Sequence, residues 1–274
     1  MPIITIFGGT FGDDETLAQG VAKTLGCAFV SREILVAASQ RCEVPEAKLN
    51  EILEKEPHWW EGWQQNLRPY RIALQAAMSE AAVAEDMVYL GHIGHGLLPG
   101  IRHVLKVMLT APMEFRIEQV RARQGLDARA ARRYIDQVEK ARTRRLMAMF
   151  GTDWRDPGQY ALILNMAQMS SAAAEKMIER AALFEEYQAT AASRQALRDL
   201  ALTTKVQIAL LQHPSLRDVM INVQARDGEV TLSGLLSASI SAQEVSRSIE
   251  MVPGVKTVIN DLVSIPRRAL RYGG

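Results

Sequence analysis

At 274 residues, and with roughly 150 residues to a domain, the chain is long enough for two domains. Its 48% hydrophobic and 23% charged residues exclude disorder, collagen and coiled coil, and 32 basic against 31 acidic side chains leave a net charge of +1, so bulk charge selects neither nucleic acid nor an anionic membrane. Cys27 and Cys42 are too few for a disulfide scaffold or a four-cysteine metal site and suit a reducing compartment. With no signal-type start and no apolar run of about 18 residues, the expectation is a soluble, cytoplasmic, two-domain protein.

In chain order, the β-branched run Pro2–Phe7 predicts a strand that enters a glycine-containing turn and then a helix over Asp14–Leu25. Further strands are predicted at Cys27–Val30, Met87–Leu90, Val104–Thr110 and Ala161–Leu164. Helical spacing appears at Glu46–Lys55, Leu67–Glu85, Met113–Arg123, Ala128–Phe150 and Ser171–Ala191. Five strands alternating with helices predict an α/β fold: a doubly wound five-stranded parallel sheet with ligands at the carboxyl ends of its strands. Beyond a helical connector at 191–199 the pattern changes. A helix over Leu200–Leu211 stops at Pro214, Ile221, Val223 and Ala225 alternate with polar residues, Asp227-Gly228 makes a hairpin, and Val230 and Leu232 resume the alternation. A helix over Ala242–Met251 and a strand over Val255–Ile265 complete a small αββαβ unit. The expected layout is therefore a domain over 1–190, the connector, a second domain over 200–266 and a tail over 267–274.

The charge is unevenly distributed along this layout. Residues 1–115 carry 9 basic and 14 acidic side chains (−5), 116–145 carry 10 and 4 (+6), 146–195 carry 4 and 6 (−2), and 196–274 carry 9 and 7 (+2).

Several stretches resemble the cytidylate kinase-like family, a branch of the P-loop nucleoside monophosphate kinases. They are IITIFGGTFGDDETLA at the start, VSREIL at 30–35, YLGHIGHGLLPGIRHVLKVMLTAPMEFRIEQV at 89–120, YIDQVEKAR at 134–142 and FGTDWRDPGQYALILN at 150–165. DGEVTLSG at 227–234 and VPGVKTVINDL at 252–262 are similar to a BON domain, a small module implicated in attachment to phospholipid membranes or in binding other ligands.

The first resemblance implies a phosphate-binding loop, and Gly8, Gly9, Thr10, Gly12, Asp13 and Asp14 occupy its position. A working loop, GxxxxGK[ST], cradles phosphates with backbone N–H groups, reaches them with Lys and places a hydroxyl on Mg²⁺. Aligned on Gly8, this chain has Asp13 at the second glycine, Asp14 at the Lys and Glu15 at the hydroxyl. A carboxylate about 4 Å from a phosphate charge costs on the order of 4 kcal/mol at an effective dielectric near 20, whereas a helix N-terminus returns about 0.3–1 kcal/mol. The loop is degenerate, and ATP is expected to bind weakly or not at all. Helix capping, a gained Mg²⁺ or Ca²⁺ site and a residual nucleotide site all stay open for the three acids.

His92 to His95 spell HIGH, which class I aminoacyl-tRNA synthetases use for ATP. Here the motif follows the third strand with no partner KMSKS loop, so the match is coincidental. The family resemblance instead puts Gly91-His92 where relatives carry a Gly-Arg pair touching the acceptor nucleotide, making His92 and His95 candidate substrate contacts, with Arg32 on the acceptor side. Three histidines, His92, His95 and His103, lack the carboxylate or thiolate spacing of a zinc site, and no metal ligands are assigned. The +6 segment matches the family's lid, in which Arg142 and Arg145 are the candidate catalytic residues; Glu139 stands three before Arg142 where relatives have Asp, and Arg144 also follows. The near-neutral sum further suggests that this lid meets its own acidic loop. Trp59, Trp60 and Trp63 suggest a cover over the core or a subunit interface.

The reading is a cytidylate kinase-like pseudoenzyme, a non-catalytic ligand-sensing or protein-interaction module whose candidate ligand is a nucleotide or other phosphorylated small molecule, coupled to a BON domain that binds phospholipid or protein. The alternatives are an active CMP-type kinase, for which ATP and Mg²⁺ would be the cofactors, and a BON-mediated docking protein. Nucleic acid is disfavoured, since Tyr134 is the one aromatic among the lid's basic residues, and homo-oligomerisation is left open.

Overall fold

A computed structural model describes residues 2–9, 14–42, 67–217 and 219–265. The chain divides into two compact units, Met1–Ser193 and Arg194–Gly274.

The first unit is built on five parallel strands in the order β2-β3-β1-β4-β5. These are β1 (Ile3–Phe7), β2 (Ala28–Val30), β3 (Met87–Leu90), β4 (Val104–Thr110) and β5 (Leu162–Asn165). The central strand β1 is buried at every position, as the uninterrupted apolar run Ile-Ile-Thr-Ile-Phe demands of a strand covered on both faces. Because side chains alternate along a strand, Leu105, Val107 and Leu109 of β4 join Ile4 and Ile6 on one face. That face packs on α1 (Asp14–Leu25), through Leu17, Ala18 and Val21, and on a later helix, Ser171–Ala182, through Ala174 and Ile178. On the opposite face, register aligns Tyr89, Thr5 and Lys106 in one row across β3, β1 and β4. Thr5 is buried there, a polar exception within an apolar sheet.

Among the described residues, the remaining helices of this unit are α2 (Glu33–Cys42), α3 (Arg68–Ala84), the single turn α4 (Gly94–Leu97), α5 (Met113–Gln124), α6 (Ala128–Phe150) and α7 (Ser171–Ala182). The hairpin α5–α6 holds itself together: Val120, Ala131 and Ile135 form a small core of their own, and the Asp127 carboxylate caps α6 by accepting from the Ala130 N–H at 2.7 Å.

Two helix expectations need correcting. Glu33–Cys42 is helical, and the run predicted as one helix over Ser171–Ala191 breaks. After Ala182 the chain turns through a 3-10 segment at Glu185–Tyr187, and the Gln188 side chain donates to the Ala182 carbonyl at 2.7 Å, closing the helix end. A new helix, α8 (Ala191–Gln212), absorbs the expected connector. It starts on a reciprocal pair in which the Ser193 N–H donates to Thr190 Oγ1 and the Thr190 N–H to Ser193 Oγ, at 3.1 and 2.9 Å. The predicted helix at Glu46–Lys55 lies outside the described residues, as do Trp59, Trp60 and Trp63.

In the second unit β6 (Ile221–Arg226), β7 (Glu229–Ser237) and β8 (Thr257–Ile265) form a sheet in that order, antiparallel between β6 and β7 and parallel between β7 and β8, with α9 (Ala242–Glu250) between the latter two. Asp227 and Gly228 turn the hairpin with φ of 52° and 90°, the two positive values a type I′ turn requires. Val206, Val223, Val230, Leu232 and Ile249 fill its core.

Candidate phosphoanion site

At the carboxyl ends of β1 and β3 the first sheet opens into a cluster built from three segments. Phe7, the last residue of β1, is its hub. Its ring stacks on Trp154 with centroids 4.9 Å apart and planes 11° apart, and meets His92, His95 and Tyr160 edge-on at 5.4, 5.8 and 6.2 Å. Trp154 in turn fastens the lid helix: its indole N–H donates to Thr143 Oγ1 at 2.9 Å, and the Thr143 hydroxyl donates to the Glu139 carbonyl at 3.0 Å. The Tyr160 hydroxyl donates to the Trp154 carbonyl at 2.8 Å. From the other end of α6, Phe150 lies over Gly96, where a Cβ would come within 2.8 Å of the ring, and Arg71 of α3 donates to the Met149 carbonyl at 3.4 Å.

His92 and Arg142 meet directly, with His92 Nε2 2.7 Å from a guanidinium nitrogen. A guanidinium can only donate, so the imidazole is neutral and accepts at Nε2. Burial, then the Arg142 and Arg145 charges, hold His92 well below the usual histidine range, with the Gly8 backbone acting in the opposite sense. Arg145 is buried, at 5% exposure. His95, at 4% exposure, has no hydrogen-bond partner for either ring nitrogen among the described residues, and burial followed by the Lys106 charge lowers it to about 4.

The phosphate-loop position is described at Gly8, Gly9 and Asp14; Thr10, Gly12 and Asp13 lie outside the described residues. Asp14 opens α1, and its carboxylate lies over Gly8, with Oδ2 2.5 Å from where a Cβ on that glycine would be. Asp14 therefore rests on Gly8. Glu15 points outward and accepts from the Gln19 side chain.

The structure thus gathers His92, His95, Arg142 and Arg145 around Phe7, beside Gly8. Glu139 pairs with Arg116 of α5 inside the α5–α6 hairpin. Arg32 lies exposed at the start of α2. His103 contributes its carbonyl to the Ile3 N–H at the amino end of β1, away from the other two histidines. Among the described residues no three His, Cys, Asp or Glu side chains are grouped to hold a metal. Phe7, Trp154 and Tyr160 escaped the sequence reading as site residues; the signal available was the pair of aromatics flanking a Pro-Gly turn just before β5.

A family model described as the cytidylate kinase-like family matches residues 3–168. The chain belongs to the cytidylate kinase-like family. A BON domain model matches residues 198–266, coinciding with the second sheet and its helices. Among curated relatives, a cytidylate kinase of Ignicoccus hospitalis is 27% identical over 181 residues, covering 66% of this chain and 98% of the relative. One of Methanopyrus kandleri is 34% identical over 99 residues, covering 33% of this chain, so the match spans about half (51%) of that relative's length. A solved structure, an uncharacterised protein from Eubacterium ventriosum, superposes with a TM-score of 0.51 at 16% identity, covering 66% of this chain and 98% of its own. That likeness supports the five-stranded kinase fold. Among the described residues no helix is long and apolar enough to cross a membrane.

Proposed function

We propose that the kinase-like unit binds a phosphorylated small molecule, of the class of a nucleoside monophosphate, without transferring phosphate to it, and acts as a sensing module coupled to the BON unit. The observation that carries this reading is the pairing of two opposite devices at one end of the sheet. Buried Arg145, with half-buried Arg142 and His92, supplies a hydrogen-bonding wall with two guanidinium charges, which suits phosphate oxygens. Beside it Asp14 puts a carboxylate on Gly8 where a transferring loop needs a lysine. A monophosphate reaching the arginine wall keeps its attraction, whereas a triphosphate laid across Gly8 meets like charge at close range.

The BON unit fits a docking role. Leu235 and Val263, paired in register across β7 and β8, stand exposed on its sheet at 53% and 55%, which suits a protein or phospholipid partner. The opposing reading, an active CMP-type kinase using ATP and Mg²⁺, draws support from the likeness to the Ignicoccus and Methanopyrus cytidylate kinases. A thermal-shift panel of the full chain with nucleoside mono-, di- and triphosphates, with and without Mg²⁺, separates the two, because a ligand that binds the folded state alone raises its stability. Stabilisation by monophosphates without need of Mg²⁺ supports the sensing reading; stabilisation by ATP that requires Mg²⁺ overturns it.

A further inference from the structure

His92 differs from the arginines beside it in one property: an imidazole can gain a proton at neutral pH and a guanidinium has none to gain. In the structure the ring is an acceptor, holding the Arg142 N–H on Nε2 at 2.7 Å. Its Nδ1 faces the Gly8 backbone with no bond of good geometry among the described residues, and the ring is wedged edge-on against Phe7, so it is not free to turn away. A phosphoanion that draws Arg142 to itself removes the donor from Nε2 and puts acceptor oxygens in its place. A neutral ring with its proton on Nδ1 opposes lone pair to lone pair at Nε2, and the neutral tautomer with its proton on Nε2 leaves Nδ1 bare against the Gly8 backbone; a ring protonated at both nitrogens donates to the anion and to Gly8.

We infer that His92 takes up a proton from solvent when a phosphoanion binds, so that anion capture at this site is coupled to pH. The inference rests on the reading of the site as a phosphoanion site. The proton comes from the buffer and ends on Nε2, the Arg142 N–H passes from Nε2 to the ligand, and no covalent bond changes. The groups facing the ring set the balance. Arg142 and Arg145 on α6 oppose protonation while the site is empty, and His95 on α4 adds to this; the Gly8 backbone favours it. Asp14 rests on the far side of Gly8, and Lys106 of β4 acts on His95. An incoming dianion adds negative charge beside the ring and so favours the proton.

The test is calorimetric titration of the full-length protein with CMP, at pH 7.5 where its phosphate is already a dianion, in Tris and in HEPES, whose ionisation enthalpies differ. The observed heat should differ between buffers by the signature of proton uptake. Affinity should weaken as pH is raised from 7 to 8.5, by up to about tenfold per pH unit, the limit for one linked proton. His92→Gln, which keeps an acceptor for Arg142 and cannot charge, should bind CMP with buffer-independent heat, and His92→Arg likewise. Equal heats in the two buffers for the wild type, or unchanged uptake in His92→Gln, would overturn the inference while leaving anion binding intact. Absence of CMP binding under all these conditions would overturn the anion-site reading and the proton coupling with it.

Discussion

The single residue with most influence on what the site can hold is Asp14. With its carboxylate on Gly8, it competes for the position a phosphate group would take. Even a third of the roughly 4 kcal/mol of like-charge repulsion expected at about 4 Å corresponds to a tenfold change in affinity. Asp14→Asn should therefore raise the affinity for inorganic pyrophosphate at least about tenfold by calorimetry, and an unchanged or weaker affinity would show that Asp14 is not what opposes phosphate. His95 makes a second residue-scale prediction. Its folded value, about 4, lies below the ordinary 6.5, so the stability it contributes is complete above pH 6.5 and is lost as pH falls toward 4. The loss should reach about 2 kcal/mol by pH 5. His95→Phe keeps the ring packing against Phe7 and Tyr160 and removes two buried nitrogens without partners. Thermal melts should show it at least as stable as the wild type at pH 7.5 and clearly more stable at pH 5, with a residual acid slope from His92.

At the scale of elements, the lid is a hairpin with its own small core whose second helix runs on into the site. Val120, Ala131 and Ile135 hold α5 to α6, and Trp154 pins α6 at Thr143. These two attachments should fail separately. Ile135→Ala should raise amide exchange within α5 and the first half of α6, leaving the sheet protected, because the cluster it belongs to is distinct from the sheet core. Elements were the scale at which the sequence spoke most clearly. Ala128–Phe150 could be bounded from its apolar spacing because Asp127 and Gly151 mark its two ends, and the structure bears out the five-stranded parallel sheet. The break after Ala182 was hidden because Leu183, Phe184 and Tyr187 continue a helix-like apolar spacing, while the bonds that end the helix, from the Leu183 and Phe184 N–H groups and the Gln188 side chain, leave no mark in that spacing. Within the site, the histidines and lid arginines stood out through family spacing. The Phe7–Trp154 stack did not, since it joins residues 147 positions apart and leaves no local pattern.

The whole molecule consists of two units with separate cores, one around β1 and β4 and one around β7. Leu232→Ala, at a fully buried position of β7, should cost the BON unit about 2–5 kcal/mol. It should lower the melting temperature of that unit without altering CMP binding by the other; a parallel loss of CMP affinity would mean that the ligand site depends on the BON fold. The central claim, that this cytidylate kinase-like chain captures a monophosphate and does not phosphorylate it, is tested most directly by following ATP consumption by the full-length protein with Mg²⁺ as CMP is added. The account predicts no CMP-dependent turnover above background. CMP-dependent formation of ADP and CDP that Arg142→Ala abolishes would contradict it.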